Sequence, residues 1–225
     1  MRLHELIDFE PKNSSKNLSS YTNRVIGNTD SKELGKGSFG TGYDIKSNKR
    51  LNQITKLGTV GKFDKDYKVR PVADINEDGY LSFLRMVHGY SKKGFVNPYF
   101  PVIHDLKIMK SPENALFYAV KLEKLTPLKS ANIVDNQALI NSLYENMFGS
   151  TVGGYHYLDI LFRLNQGLIK PDTIKDEELK KALYLIKSLI SSNHQFVPDI
   201  DANNIMWRIT GSTPHLVIVD PIYSK

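Results

Sequence analysis

The 225-residue chain contains no cysteine. This excludes a disulfide scaffold and any zinc site built on thiolates, and it fits a reducing compartment, so a cytoplasmic location is expected. No apolar run approaches the ~20 residues that a membrane-spanning helix needs. The N-terminal stretch also lacks the apolar core of a secretory signal, so neither a membrane nor an export route is expected. Blocks of like charge are absent too. Lys and Arg (30) exceed Asp and Glu (24), a net charge of +6, but the longest basic clusters are only pairs, such as Lys92-Lys93 and Lys180-Lys181. Scattered charge of this kind reads as a solvated, mildly basic surface, and a nucleic-acid partner is not expected. The six histidines show no metal-ligand spacing such as H-E-x-x-H. No segment repeats at a fixed period. What is present is ordinary for a globular protein: 40% apolar and 24% charged residues, in a length that suits one or two small domains.

The chain changes character along its length. Residues 1–30 are polar and rich in Ser, Asn and Lys, and read as an irregular leader. Glu33 to Lys56 alternates strand-like runs with a glycine turn. Val60 to Asn76 is polar and mixed, and is expected to be an inserted loop. Asp78 to Gly89 carries Leu81, Phe83, Leu84 and Val87 at helical spacing, with Gly89 as the expected stop. Phe117 to Leu122 is the clearest strand in the middle of the chain. In the second half, Asp135–Phe148 and Tyr155–Asn165 read as helices. The strongest helix signal runs from Asp176 to Ser192, with acids in its first turn and a broad apolar face of Leu179, Ala182, Leu183, Ile186, Leu189 and Ile190. A hairpin closes the pattern: strands at Ile205–Ile209 and His215–Val219 around a turn at Gly211–Pro214.

Three stretches carry chemistry. In Gly35-Lys-Gly37-Ser-Phe39-Gly40-Thr-Gly42 the glycines follow G-x-G-x-x-G between two strand-like runs. Such a loop lets backbone amides approach a nucleotide's phosphates, because no side chain holds them off. A glycine-rich hairpin with no ligand is the plain alternative. A dinucleotide turn is disfavoured, since a strand rather than a helix is expected after Gly42. Lys56 lies on the next apolar strand, where it could reach back to the phosphates. Asp199-Ile-Asp201-Ala-Asn203-Asn204-Ile205 then matches D-x-x-x-x-N before a strand, and Asp220 ends the partner strand. An antiparallel pair would bring Asn204 and Asp220 together as oxygen ligands for a hard cation such as magnesium. Asp199 could accept a hydroxyl proton. Ordinary turn chemistry is the competing account of these residues. Trp207, Tyr43, Tyr80 and Tyr90 are expected to be packing or surface aromatics, and His194 a loop or capping residue.

The order of glycine loop, strand lysine, D-x-x-x-x-N and late Asp resembles the protein-kinase superfamily. Phe83–Gly89, Asn204-Ile205-Met206 and Val219-Asp220-Pro221 look closest to the early serine/threonine protein kinases of T-odd podophages. The resemblance covers about residues 34–223. It implies an α+β, minimal bilobal protein-kinase-like fold, with a β-rich N-lobe at 31–125 and a truncated helical C-lobe at 126–225 that holds the catalytic loop and hairpin. It implies that Gly35, Gly37, Gly40 and Lys56 bind ATP phosphates, and that Asp199 is the catalytic base with Lys56 beside it in the reaction. Asn204 and Asp220 would bind magnesium, and the segment around Glu123 and Leu125 would meet adenine as a hinge. An acid near the start of the first helix, Glu77 or Asp78, would pair Lys56. The substrate would be a protein of a bacterial host, or the chain itself, in the host cytoplasm.

The departures are specific. Val197-Pro198 stand where kinases carry His-Arg, Pro221-Ile222 follow the metal Asp instead of Phe-Gly, and the chain runs only to Lys225. Control by a phosphorylated activation loop is therefore not expected. Peptide docking would use other surfaces: the leader, the 60–76 insert or a second subunit of a homo-oligomer. Two other functions fit the same residues: a kinase-like binding module that sequesters a host protein without chemistry, and a phosphotransferase acting on a small molecule.

Overall fold

The computed structural model describes residues 31–37, 40–45, 53–66, 68–110, 115–127, 172, 174–200, 203–210 and 213–225. The expected leader at 1–30, the helices at 135–148 and 155–165, and Asp201 lie outside the described residues. The fold is α+β, with antiparallel sheets and, among the described residues, two α-helices. The chain forms two compact units. The first comprises Met1–Phe95, Val102–Lys124 and Ser224–Lys225; the second comprises Val96–Pro101 and Leu125–Tyr223.

The first unit is built on a five-stranded sheet. Its strands are β1 (Ser31–Gly37), β2 (Gly40–Ile45), β3 (Gln53–Thr59), β6 (Ile103–Lys110) and β7 (Leu116–Glu123), in the order β1-β2-β3-β7-β6. Between β3 and β6 come β4 (Gly61–Phe63), β5 (Val69–Pro71), a 3-10 turn (Ile75–Glu77) and helix α1 (Gly79–Lys92). Directly opposed residues share a sheet face. Gly42, Lys56, Val120 and Leu106 therefore form one row, and Gly58, Tyr118 and Ile108 the next row on the same face. Helix α1 packs on that face, where its Tyr80 ring meets Tyr118 at 5.8 Å. Phe83, Leu84 and Met86 are fully buried beneath it, each worth roughly 1.5–3 kcal/mol of apolar transfer. The opposite face holds a smaller cluster, in which Tyr43 and Leu57 pack on Met109 and Ala119.

Two expectations change here. The 60–76 stretch is not a plain loop, because β4 and β5 pair antiparallel from Gly61↔Pro71 to Phe63↔Val69. Asp64 organises the turn: its Oδ1 accepts from the Asp66 and Lys68 amides, each at 2.9 Å, and its Oδ2 from Arg70 Nε at 2.7 Å. That Arg70 hydrogen bond is the chief reason the Asp64 carboxyl is held below its ordinary range. Helix α1, in turn, runs through Gly89 and stops three residues later. Glycine inside a helix costs only about 1 kcal/mol and does not end it. The stop is Gly94 at φ 82, where the Phe95 N–H reaches the Tyr90 C=O at 3.0 Å and the Phe95 ring packs edge-on against Tyr90. This is a helix C-cap of the Schellman type with its hydrophobic contact.

The second unit contains β8 (Thr126–Pro127), α2 (Glu177–Ser192), β9 (Phe196–Pro198), β10 (Ile205–Thr210), β11 (Thr213–Ile218) and β12 (Ile222–Ser224, of which Ser224 belongs to the first unit). Strands pair in the order β11-β10-β8, and β12 pairs with β9. Asp176 caps α2, its Oδ1 accepting from the Glu178 and Leu179 amides. Leu179, Ala182, Leu183, Ile186 and Leu189 are buried, as the periodicity requires. The short segment 96–101 is bound into this unit by four groups. Asn97 Nδ2 donates to Glu178 C=O, Tyr99 Oη donates to Asp176 Oδ2, the Ile218 amide donates to Tyr99 C=O, and Arg208 donates to the Pro98 and Phe100 carbonyls.

The β10–β11 hairpin is tighter than expected, since Thr210 pairs with Thr213 and Pro214 lies inside the strand opposite Ile209. The Val219 N–H to Asn204 C=O bond sets the phase of the ladder. Alternation then puts Pro214 in a pair that needs no inter-strand N–H, on an edge strand, the position where proline is tolerated. Trp207 is 3% exposed and pairs with Leu216 and Thr126, a packing residue as expected. Among the described residues, no helix is long and apolar enough to cross a membrane.

Candidate functional site

The predicted site residues divide between the two units, and each group is positioned within its own. In the first unit, β1 and β2 pair from Gly35↔Gly42 to Gly37↔Gly40, so Gly35, Gly37 and Gly40 sit at the tip of a tight hairpin whose two connecting residues lie outside the described set. Leu34 is the extra residue where the register shifts between Glu33 and Gly35, and it is exposed. A bulge raises local twist and redirects the strand just before the glycines. Lys56 stands directly across from Gly42 on one side and Val120 on the other. Its side chain is half-buried, and Nζ lies 3.8 Å from the centroid of the Tyr80 ring.

The acid beside Lys56 is now identifiable. Glu77 is turned to Lys62, with Oε2 3.0 Å from Nζ. Asp78 is 2% exposed and caps α1. Its Oδ1 accepts from the Leu81 amide and its Oδ2 from the Gly61 amide, each at 2.8 Å. Burial pushes the Asp78 carboxyl up to about 6, opposed by those two amides, then by the Lys56 charge, then by the Tyr80 amide. The carboxylate thus ties the end of the β3–β4 connection to the helix start, with the lysine's field acting on it. The first α1 amide, Gly79 N–H, donates to Ser224 Oγ at 2.7 Å, a cap from the far end of the chain. Sequence reading missed Ser224, because nothing local couples positions so far apart. It also treated Tyr80 as an ordinary aromatic.

The hinge residues are placed differently from one another. Glu123 ends β7. Its amide donates to Val102 C=O at 3.0 Å, and its Oε1 accepts from the Val102 amide at 2.8 Å. Its backbone N–H is therefore committed within the fold. Leu125 is half-buried just before β8.

In the second unit, the structure brings Asp199, Asn204 and Asp220 to one end of the hairpin. The Asp199 amide donates to Pro221 C=O at 2.7 Å, extending the β9–β12 pairing. Asn204 Nδ2 donates to Asp199 C=O at 2.7 Å, and Asn204 C=O accepts from Val219 N–H at 2.9 Å. Asp220 follows directly. The Asn204 side chain is thus tied to the Asp199 backbone, and the Asp220 backbone is held next to it by ladders on either side. Because the amide nitrogen of Asn204 is used on Asp199, its Oδ1 is the acceptor arm. Asn204 Oδ1 and the Asp220 carboxylate are hard oxygen donors of the kind magnesium takes. Among the described residues, no group of three or more His, Cys, Asp or Glu is placed to hold a metal. A cation taken by this set would need oxygen ligands from water or a bound phosphate, as magnesium commonly does. His194 is exposed in the turn after α2.

No protein-family model matches the chain, and no curated protein matches it.

Proposed function

We propose that the chain is a protein-kinase-like phosphotransferase, moving the γ-phosphoryl group of magnesium-ATP to Ser or Thr hydroxyls of a host protein or of itself. The observation that carries this reading is the bond between Asn204 and Asp199 in the second unit. The side chain of Asn204 bonds back to Asp199, and the strand ladder sets Asp220 beside it. A D-x-x-x-x-N segment tied back on itself at the end of the strand that bears the later Asp supports this reading over plain turn chemistry. The pairing of a glycine hairpin with the Lys56 strand in the first unit supports the same reading.

In this reading Gly35, Gly37 and Gly40 allow backbone amides to approach the phosphates, and Lys56 neutralises phosphate charge. Asn204 and Asp220 would hold magnesium, whose contribution is to screen charge on the phosphate oxygens. Asp199 orients the acceptor hydroxyl and takes its proton. The hydroxyl oxygen forms the new bond to γ-phosphorus, the bond to the β,γ-bridging oxygen breaks, and ADP leaves with that electron pair. Adenine recognition at the Glu123–Leu125 segment would use groups other than the Glu123 amide. The finer fold assignment, a minimal bilobal kinase with a β-rich lobe at 31–125 and a helical lobe at 126–225, belongs to this proposal.

The test is incubation of the purified chain with labelled ATP and magnesium, alone and with bacterial lysate, beside Asp199→Ala. Label transferred by the intact chain alone, with ATP binding kept in the variant, is the expected result. Nucleotide binding without protein labelling in either would replace this reading with a non-catalytic binding module. Turnover of a small alcohol without protein labelling would replace it with a small-molecule phosphotransferase.

A further inference from the structure

Lysine is a point charge on a flexible four-carbon stem, so a lysine that must meet a phosphate needs its position set by neighbours. Lys56 Nζ lies over the Tyr80 ring, 3.8 Å from its centroid. Tyr80 is 4% exposed, and its ring meets that of Tyr118, 1% exposed, edge to face at an interplanar angle of 64°. Tyr118 stands opposite Gly58, two residues along β3 from Lys56, so the ammonium, the ring and its brace occupy one sheet face. A ring face attracts a cation through its quadrupole, and more strongly where water is excluded. An edge-to-face partner fixes the ring's tilt. On the other flank Gly42 opposes Lys56 and adds no side chain.

Resting on the phosphotransferase reading above, we propose that Tyr80 is a positioning residue for Lys56, its ring face holding the ammonium on the nucleotide side of the sheet while Tyr118 braces the ring. A ring draws in the charge without competing strongly for the ammonium's N–H donors, which suits a lysine that must also meet phosphate oxygens. Asp78, two residues before Tyr80, supplies opposite charge from the same helix start. One turn of α1 thereby delivers both groups that set the lysine.

The experiment uses the full chain with its lysines reductively 13C-methylated, which keeps their charge. The Lys56 signal is assigned by its loss in Lys56→Arg. An upfield, ring-shifted Lys56 signal is expected in the unsubstituted chain and in Tyr80→Phe, and a bulk-like signal in Tyr80→Leu. Unmodified proteins should show ATP affinity within about twofold of normal for Tyr80→Phe, and weakened on the order of tenfold for Tyr80→Leu. Tyr80→Met, whose unbranched side chain fills irregular space more readily, replaces the leucine variant if that one fails to fold. A bulk-like Lys56 signal in the unsubstituted chain overturns the proposal, as does equal ATP affinity in the Phe and Leu variants. A ring-shifted signal with no ATP binding by the unsubstituted chain instead defeats the phosphotransferase reading, and the nucleotide role of Tyr80 with it.

Discussion

The buried carboxylate of Asp78 makes the stability of the fold depend on pH. Its value rises from 3.8 to about 6, chiefly by burial, against the pull of two amides and Lys56. An acid raised on folding holds its proton more tightly in the folded state. Its contribution is therefore fully present below the unfolded value and is lost as pH rises through about 6. Asp78→Ala removes this contribution along with two hydrogen bonds. The Leu81 and Gly61 amides lose their acceptor, at a cost of roughly 1–3 kcal/mol. From the two pKa values, the penalty of the substitution should be larger at pH 5 than at pH 7.5 by about 1.4 kcal/mol. Urea unfolding of both proteins at both pH values, followed by circular dichroism, measures the four free energies, and the double difference isolates Asp78 from every other titrating group. An NMR titration of the Asp78 carboxyl carbon provides the direct check. A penalty equal at the two pH values, or larger at pH 7.5, would refute the argument that burial outweighs the amides and the lysine.

Two further predictions concern single positions. Gly94 adopts φ 82, and a Cβ placed there meets nothing within 4 Å. Gly94→Ala should therefore lower stability by about 1–2 kcal/mol through backbone strain alone, read as a shift in denaturation midpoint, while Gly94→Asn should cost less. Asp220→Ala should abolish the magnesium dependence of ATP binding in calorimetric titrations. An affinity that still responds to magnesium would remove Asp220 from the metal-binding set.

Local structure was legible wherever a residue's own chemistry fixes its neighbours. Helix α2 was readable because acids in its first turn and a 3.6-residue apolar period coincide within one segment. The β10–β11 pairing was readable because two alternating runs flank a short turn. Legibility failed where a longer-range interaction competed. Gly89 looked like a helix stop, yet the helix continued to a better cap in which Phe95 packs on Tyr90. The 60–76 stretch looked like a loop because its order comes from one carboxylate, Asp64, gathering two amides and an arginine. Pro214 looked like a turn residue until the phase of the ladder placed it where no amide is needed.

The candidate site divides in the same way. Sequence alone determined which residue types stand in which order: the glycines, Lys56, Asp199, Asn204 and Asp220, with a helix beginning near Asp78. Those are statements about spacing, and spacing is one-dimensional. Only tertiary structure decided which acid faces Lys56. Glu77 and Asp78 are adjacent in the chain, but one is drawn to Lys62 while the other is buried as the cap of α1. Likewise Ser224 on the first amide of α1, and Tyr80 beneath the lysine, follow from strand register and helix packing. Those contacts join residues distant in sequence, and their energy comes from burial, which no local pattern records.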